Sequence, residues 1–109
     1  MKLLILAFAL SPIFAHAGGE ACEQRATSYA QYEYGNAVRY AQSSDSFPED
    51  KKYAACAGIP LHYDGATPET NDSNYQYYRY SFSADCAPGV TWKYSIEFYP
   101  SLNCELRGE

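Results

Sequence analysis

The feature that most constrains the fold is a strictly alternating segment near the end of the chain. Apolar and aromatic side chains hold every even position there: Val90, Trp92, Tyr94, Ile96 and Phe98. The odd positions are Thr91, Lys93, Ser95, Glu97 and Tyr99. A period of two over such a length is typical of a β-strand with one buried face. The chain must therefore supply a sheet and something to cover it.

The neighbouring segments predict two further strands. Before the alternating segment, Tyr78, Tyr80 and Phe82 alternate with polar residues, and residues 85–89 have the composition of a hairpin connection. After it, Pro100-Ser101 predicts a turn, and Cys104 and Leu106 alternate with polar residues. We therefore expect a three-stranded antiparallel meander over 78–82, 90–98 and 104–106.

A helix is the expected cover for this sheet. From Gly18 to about Tyr34, small and aromatic residues recur at helical spacing, and Gly35-Asn36 predicts its end. Residues 36–42 are compatible with a short strand, and residues 51–57 with a helical turn or a short strand. Residues 43–50 and 67–74 read as polar loops, with an Asp64-Gly65 turn between them.

The first seventeen residues have the pattern of an export signal. Lys2 supplies the positive charge, residues 3–14 supply an apolar segment, and Ala15-His16-Ala17 matches the small-x-small cleavage pattern. We expect a mature domain of residues 18–109 that is exported to the periplasm or the extracellular space. No span in that part is long and apolar enough for membrane insertion after cleavage.

In an exported domain, four widely spaced cysteines predict two disulfides rather than a metal site, which needs closely spaced pairs. In the meander, Cys86 and Cys104 lie at levels about 27 Å apart along the middle strand. Bridged cysteines need α-carbons within about 7 Å, so this pairing is disfavoured. We expect Cys22–Cys104 with Cys56–Cys86, and Cys22–Cys86 with Cys56–Cys104 stays open.

Composition limits the architecture and the function. The 109 residues carry a formal net charge of −5 and twelve tyrosines, while aliphatic side chains are scarce outside the export signal. One small domain with a tyrosine-rich core and disulfide cross-links is the expected result. Its acidic balance and scattered cations disfavour nucleic acid as a partner.

The predicted class is α+β: one N-terminal helix on a three- to four-stranded antiparallel sheet with two disulfides. This layout is similar to that of cystatin-like domains, in arrangement only. The Q-x-V-x-G loop with which cystatins inhibit proteases does not occur in this sequence, so the resemblance implies a layout and no inhibitory activity.

The candidate binding residues lie on the outer face of the expected sheet, away from the helix. They would form an exposed aromatic platform suited to a protein or glycan surface: Tyr75, Tyr77, Arg79 and Tyr99. The acidic loops around residues 45–50 and 64–72 are a second candidate surface. Neither loop matches a calcium-binding pattern, and we expect no metal and no cofactor.

No catalytic motif or nucleophile–base pair can be identified in the sequence. The leading hypothesis is therefore a small exported, non-enzymatic binding or interaction module. The alternative is a structural or envelope-associated accessory domain without a specific ligand, and a small secreted enzyme is third.

Overall fold

The computed structural model describes residues 19–99 and 104–106. Helix α1 spans Gly19–Gln42, a 3₁₀ helix spans Pro48–Cys56, and three strands follow: β1 (His62–Thr70), β2 (Gln76–Ala87) and β3 (Val90–Phe98). The strands form one antiparallel sheet in the order β1-β2-β3, with the helix packed on one face. The predicted α+β class is confirmed, and the proposed signal peptide lies outside the described residues.

The core lies between α1 and the face of the sheet that we call the inner face. Cys22, Ala26 and Ala30 are buried on α1 against Tyr80, Phe82, Ile96 and Phe98. The small residues on the helix leave space for the large rings on the sheet, which is how an aliphatic-poor chain fills its interior. The segment from Val90 to Phe98 is therefore a strand whose even-numbered side chains face the core, as its alternation predicts.

A second buried cluster joins the far half of α1 to the 3₁₀ helix. Tyr34, Cys56 and Ala84 are buried, with Trp92 and Val38 packed against them. The Tyr34 ring lies 5.0 Å from the Trp92 ring, measured between centroids. This cluster closes one end of the core and fixes the 3₁₀ segment against the sheet.

Both expected disulfides are present. Cys22–Cys104 ties the beginning of α1 to the segment after β3, and Cys56–Cys86 ties the 3₁₀ helix to the end of β2. The Cys22 and Cys56 side chains are almost completely buried. The two bridges thus fasten the sheet at two separate places to the elements that cover it.

The predicted end of the helix at Gly35-Asn36 is wrong, as is the possible strand over 36–42. The helix continues to Gln42. A glycine inside a helix costs only about 1 kcal/mol relative to alanine, and packing can offset that. Val38 contacts the second cluster and Ala41 is buried, so the helix gains tertiary contacts beyond Gly35.

The composition of the sheet also differs from the prediction. The expected turn at Asp64-Gly65 is wrong, and so is the part of the expected loop over 67–70, because His62–Thr70 forms strand β1 along the edge of β2. Residues 71–74 form the turn between β1 and β2, as predicted. The expected strand at 104–106 is reduced to a single bridge between Leu106 and Phe98. The central strand is therefore β2, and the turn between β2 and β3 is Pro88-Gly89.

Candidate binding face

The face of the sheet opposite α1, which we call the outer face, carries the candidate site. Side chains alternate between faces along each strand, so the pairing register identifies its members. Arg79 pairs with Thr67 and Glu97, and Ser81 pairs with Gly65 and Ser95. None of these residues belongs to either buried cluster.

One end of the outer face is a charged cluster that joins all three strands. Arg79 on β2 donates to Glu69 on β1 through Nε and Nη2, at 3.0 and 2.9 Å. Its Nη2 also lies 2.9 Å from a carboxylate oxygen of Glu97 on β3. The hydrogen bond to Glu69, followed by the charge of Glu97, raises the pKa of Arg79 above its ordinary value, so this guanidinium remains charged.

Beside that cluster lies a trough of about 710 Å³ that follows the middle of the outer face. Its lining includes three serine hydroxyls, two carboxylates and one ammonium group, from Ser81, Ser83, Ser95, Asp64, Asp85 and Lys93. We call this feature the outer trough. Short side chains form its middle and longer ones form its rim, which explains why the surface is recessed there.

Two strand irregularities lie next to the carboxylates of the trough. The β1–β2 register shifts between Tyr63 and Gly65, where Gly65 has a φ of 119°, so Asp64 is the extra residue. The β2–β3 register shifts directly after Asp85. Bulges bend a strand and redirect a side chain, and they are frequent next to functional sites. Here each one accompanies an acidic side chain that lines the trough.

Each of these carboxylates has one polar neighbour. Asp85 accepts a hydrogen bond of 2.9 Å from the Thr91 hydroxyl. Asp64 lies 3.5 Å from Nε2 of His62, whose side chain is largely exposed. Both acids can therefore accept further hydrogen bonds from a ligand.

The residues predicted as an aromatic platform do not form one. Tyr75 is 64% exposed, but Tyr77 is only 7% exposed, so its expected exposure is wrong. Tyr77 belongs instead to the charged cluster, where its hydroxyl donates to Glu69 at 2.9 Å. Arg79 is joined to Tyr77 through the same carboxylate, whereas Tyr99 is half-buried and bonds through its backbone to Glu105.

The structure places the predicted residue Arg79 in the lining of the trough, together with Asp64 from a predicted acidic loop. The sequence analysis did not identify the serines, Asp85 and Lys93. They occupy the polar positions of the two alternating segments, such as Ser81, Ser83 and Ser95. The signal for them is side-chain size, because short side chains at neighbouring outward-facing positions leave the surface of a sheet recessed. The aromatic residues drew attention instead, and on β2 and β3 the even-numbered ones face the helix.

Two other kinds of site are relevant: a metal site and an exposed aromatic surface. Within 19–99 and 104–106, no group of three or more histidine, cysteine, aspartate or glutamate side chains is arranged to hold a metal ion. An exposed aromatic pair, Tyr40 and Phe47, marks the exit of α1, and the Phe47 backbone N–H donates to the Tyr40 hydroxyl. That pair closes a turn, and neither residue lines the outer trough.

Two structural features concern the compartment in which the protein resides. Two disulfides indicate an oxidising, exported compartment. In the described part of the chain, no helix has the length and apolar character needed to cross a membrane.

Comparison with known proteins adds nothing further, since no family model, curated protein or solved structure matches the chain.

Proposed function

We propose that this protein is a small exported binding module without enzymatic activity, and that its outer trough is the binding site. The observation that carries the proposal is the shape of the outer face. A solvated face is ordinary for an antiparallel sheet. A recess of about 710 Å³ with one carboxylate in a strand bulge, Asp64, and another directly before a bulge, Asp85, is a more specific feature.

Export to the periplasm or the extracellular space is part of the proposal. The charged and apolar pattern of residues 1–17 supports a cleaved signal peptide, and the two disulfides support an oxidising destination. An exported domain of this size that has one face covered and one face recessed is well suited to presenting a surface to a partner.

The shape of the trough favours binding over catalysis, because the trough is open along the outer face of the sheet. Catalytic sites concentrate perturbed titratable groups in enclosed clefts. In the described residues, the phenols with a raised pKa on the sheet are on the inner-face side, where burial is the first cause: Tyr63, Tyr80 and Tyr94. The raised pKa of Arg79 reflects its pairing with Glu69.

The proposal is tested by filling the trough. Ser95 is exposed on β3, and tyrosine favours strands more than serine does, so Ser95→Tyr should fold normally. Ser28 is an exposed serine on α1, and Ser28→Tyr makes the same chemical change away from the trough. The mature wild-type protein and both variants are immobilised and exposed to the exported macromolecules of the source organism.

We expect the wild type and Ser28→Tyr to retain the same molecule and Ser95→Tyr to lose it. Equal retention by the wild type and both variants would contradict the assignment of the trough. Retention by none would favour the alternative, a structural or envelope-associated domain without a specific ligand.

A further inference from the structure

The residues of the outer trough indicate which chemical class of ligand it can bind. This inference rests on the proposed binding function. Strands are enriched in β-branched and aromatic residues, and glycine in the interior of a strand weakens it. Here Gly65, Ser81 and Ser95 lie directly opposite one another across all three strands. Glycine inside a strand often marks close approach of a ligand, and this row keeps the floor of the trough low.

The floor of the trough presents hydroxyl groups. Ser81, Ser83 and Ser95 form no side-chain hydrogen bond with any residue in the described part of the chain. A hydroxyl can donate one hydrogen bond and accept two, and the carboxylates of Asp64 and Asp85 add acceptors at the rim. A ligand that is itself rich in hydroxyls can both donate to and accept from such a surface.

Among the described residues that line the trough, none is a large aliphatic side chain that could anchor a protein partner. Protein interfaces gain most of their energy from buried aromatic or aliphatic anchors at the centre of the contact. The two aromatic residues in its lining, Phe82 and Tyr94, pack their rings against the core beneath α1. The side chains that reach into the recess from the outer face are polar.

The charges in the trough disfavour an anionic ligand. Arg79 is already paired with Glu69 and Glu97, while Lys93 forms no ion pair with any residue that the structure describes. The trough is lined by two cations, Arg79 and Lys93, and two carboxylates, Asp64 and Asp85, so its lining carries no net positive charge. Phosphate-bearing or carboxylate-rich polymers would meet repulsion there.

We propose that the outer trough binds a neutral glycan. The distance from Arg79 to Asp85 along β2 is about 20 Å, and the width from β1 to β3 is about 10 Å, from the spacing of residues and strands. A segment of a few sugar rings fits along this direction. Its hydroxyls would bond to the serines, to Asp64 and Asp85, and to Lys93.

The test uses the mature, disulfide-bonded protein and soluble hexasaccharides as probes. The neutral probes are cello-, malto-, manno- and chito-hexaose, and the anionic probe is a galacturonate hexamer. Amide chemical shifts followed by NMR during titration report both affinity and location. We expect one neutral probe to shift amides of the trough strands around Ser81 and Ser95, with Ser28→Tyr unchanged and Ser95→Tyr weakened by about tenfold or more.

Lys93→Gln separates neutral from anionic recognition, because it removes charge and keeps hydrogen-bonding capacity. Affinity for the neutral probe should change by less than about tenfold. Binding of the galacturonate probe alone, lost in Lys93→Gln, would overturn the proposal.

The outcome also separates this inference from the proposed function. Absence of binding to every neutral probe, combined with capture of an exported protein that Ser95→Tyr abolishes, would overturn the glycan while the binding function stands. Absence of both would overturn the two together.

Discussion

The Tyr34 hydroxyl on α1 lies 2.7 Å from the carbonyl oxygen of Ile59, which follows the 3₁₀ helix. The same hydroxyl lies 3.1 Å from the carbonyl oxygen of Cys56. A tyrosine deep in the second buried cluster therefore caps the carbonyl end of the 3₁₀ segment. The contact fastens α1 to the segment that leads into β1. The Cys56–Cys86 disulfide fastens the start of the same segment to β2.

Tyr34→Phe should destabilise the protein by about 1 to 2 kcal/mol, because carbonyl groups lose their donor in a dry environment. Urea unfolding of the oxidised protein measures the change. Tyr32→Phe is the control, since Tyr32 is 65% exposed and its substitution should change stability by less than about 0.5 kcal/mol. Equal effects of the two substitutions would contradict the capping role.

Gly35→Ala should stabilise the protein by about 1 kcal/mol, because alanine is the better residue inside a helix. The new methyl group would meet only the Arg39 guanidinium, at 3.4 Å, and that side chain is flexible. If the helix ended at Gly35 in a left-handed conformation, the same substitution would be unfavourable.

Gly58→Ala is the matched control for this change. Gly58 has a φ of 81° and open space around it, so alanine there is strained by the backbone alone. We expect a loss of about 1 to 2 kcal/mol, opposite in sign to Gly35→Ala.

The helix boundary illustrates what local sequence could and could not provide. Gly35-Asn36 carries an ordinary stop signal, and Val38 and Tyr40 fit a short alternating segment. The decisive information is tertiary: Val38 and Ala41 find buried partners only if the helix continues. A pattern in the local sequence cannot reveal these tertiary contacts.

Strand β1 was missed for a related reason. Its residues His62–Thr70 include Gly65 and Pro68 and show no apolar alternation, because it is an edge strand whose side chains are mostly exposed. Backbone pairing with β2 and the Glu69–Arg79 ion pair hold it in place. By contrast, the alternation in β3 and the distance argument for the disulfides depend on burial and chain geometry, which the sequence does encode.

Each disulfide should contribute about 4 kcal/mol, from the entropy of closing loops of 82 and 30 residues in the unfolded chain. Paired Cys→Ala substitutions at 22 and 104, or at 56 and 86, should each lower the urea midpoint substantially. Digestion without reduction should release the peptides Cys22–Cys104 and Cys56–Cys86. Recovery of a Cys86–Cys104 peptide would contradict the fold.

Stability should fall as the pH rises past about 10. Burial raises the pKa of Tyr34, Tyr63, Tyr80 and Tyr94 above the ordinary 10.0. Glu23 adds to this effect for Tyr63, and Glu33 for Tyr94. The unfolded chain then loses phenolic protons that the folded chain retains, so these groups leave stability unchanged well below pH 10 and reduce it above.

Phenolate absorbance and urea midpoints at about pH 9 and about pH 11 measure this effect. We expect a fraction of the tyrosines to ionise late, together with a lower midpoint at the higher pH. Simultaneous ionisation of all twelve tyrosines with an unchanged midpoint would contradict the buried tyrosine core.

The most direct test of the binding site compares two lysines within one protein. Lys93 lines the outer trough, and Lys52 is exposed on the 3₁₀ helix, which packs on the other side of the sheet. Acetylation of each amine is quantified by mass spectrometry with and without the ligand that the wild type retains and Ser95→Tyr does not. We predict that the bound ligand lowers the labelling of Lys93 several-fold and leaves that of Lys52 unchanged. Equal labelling of Lys93 in the free and bound states would contradict the outer trough as the binding site.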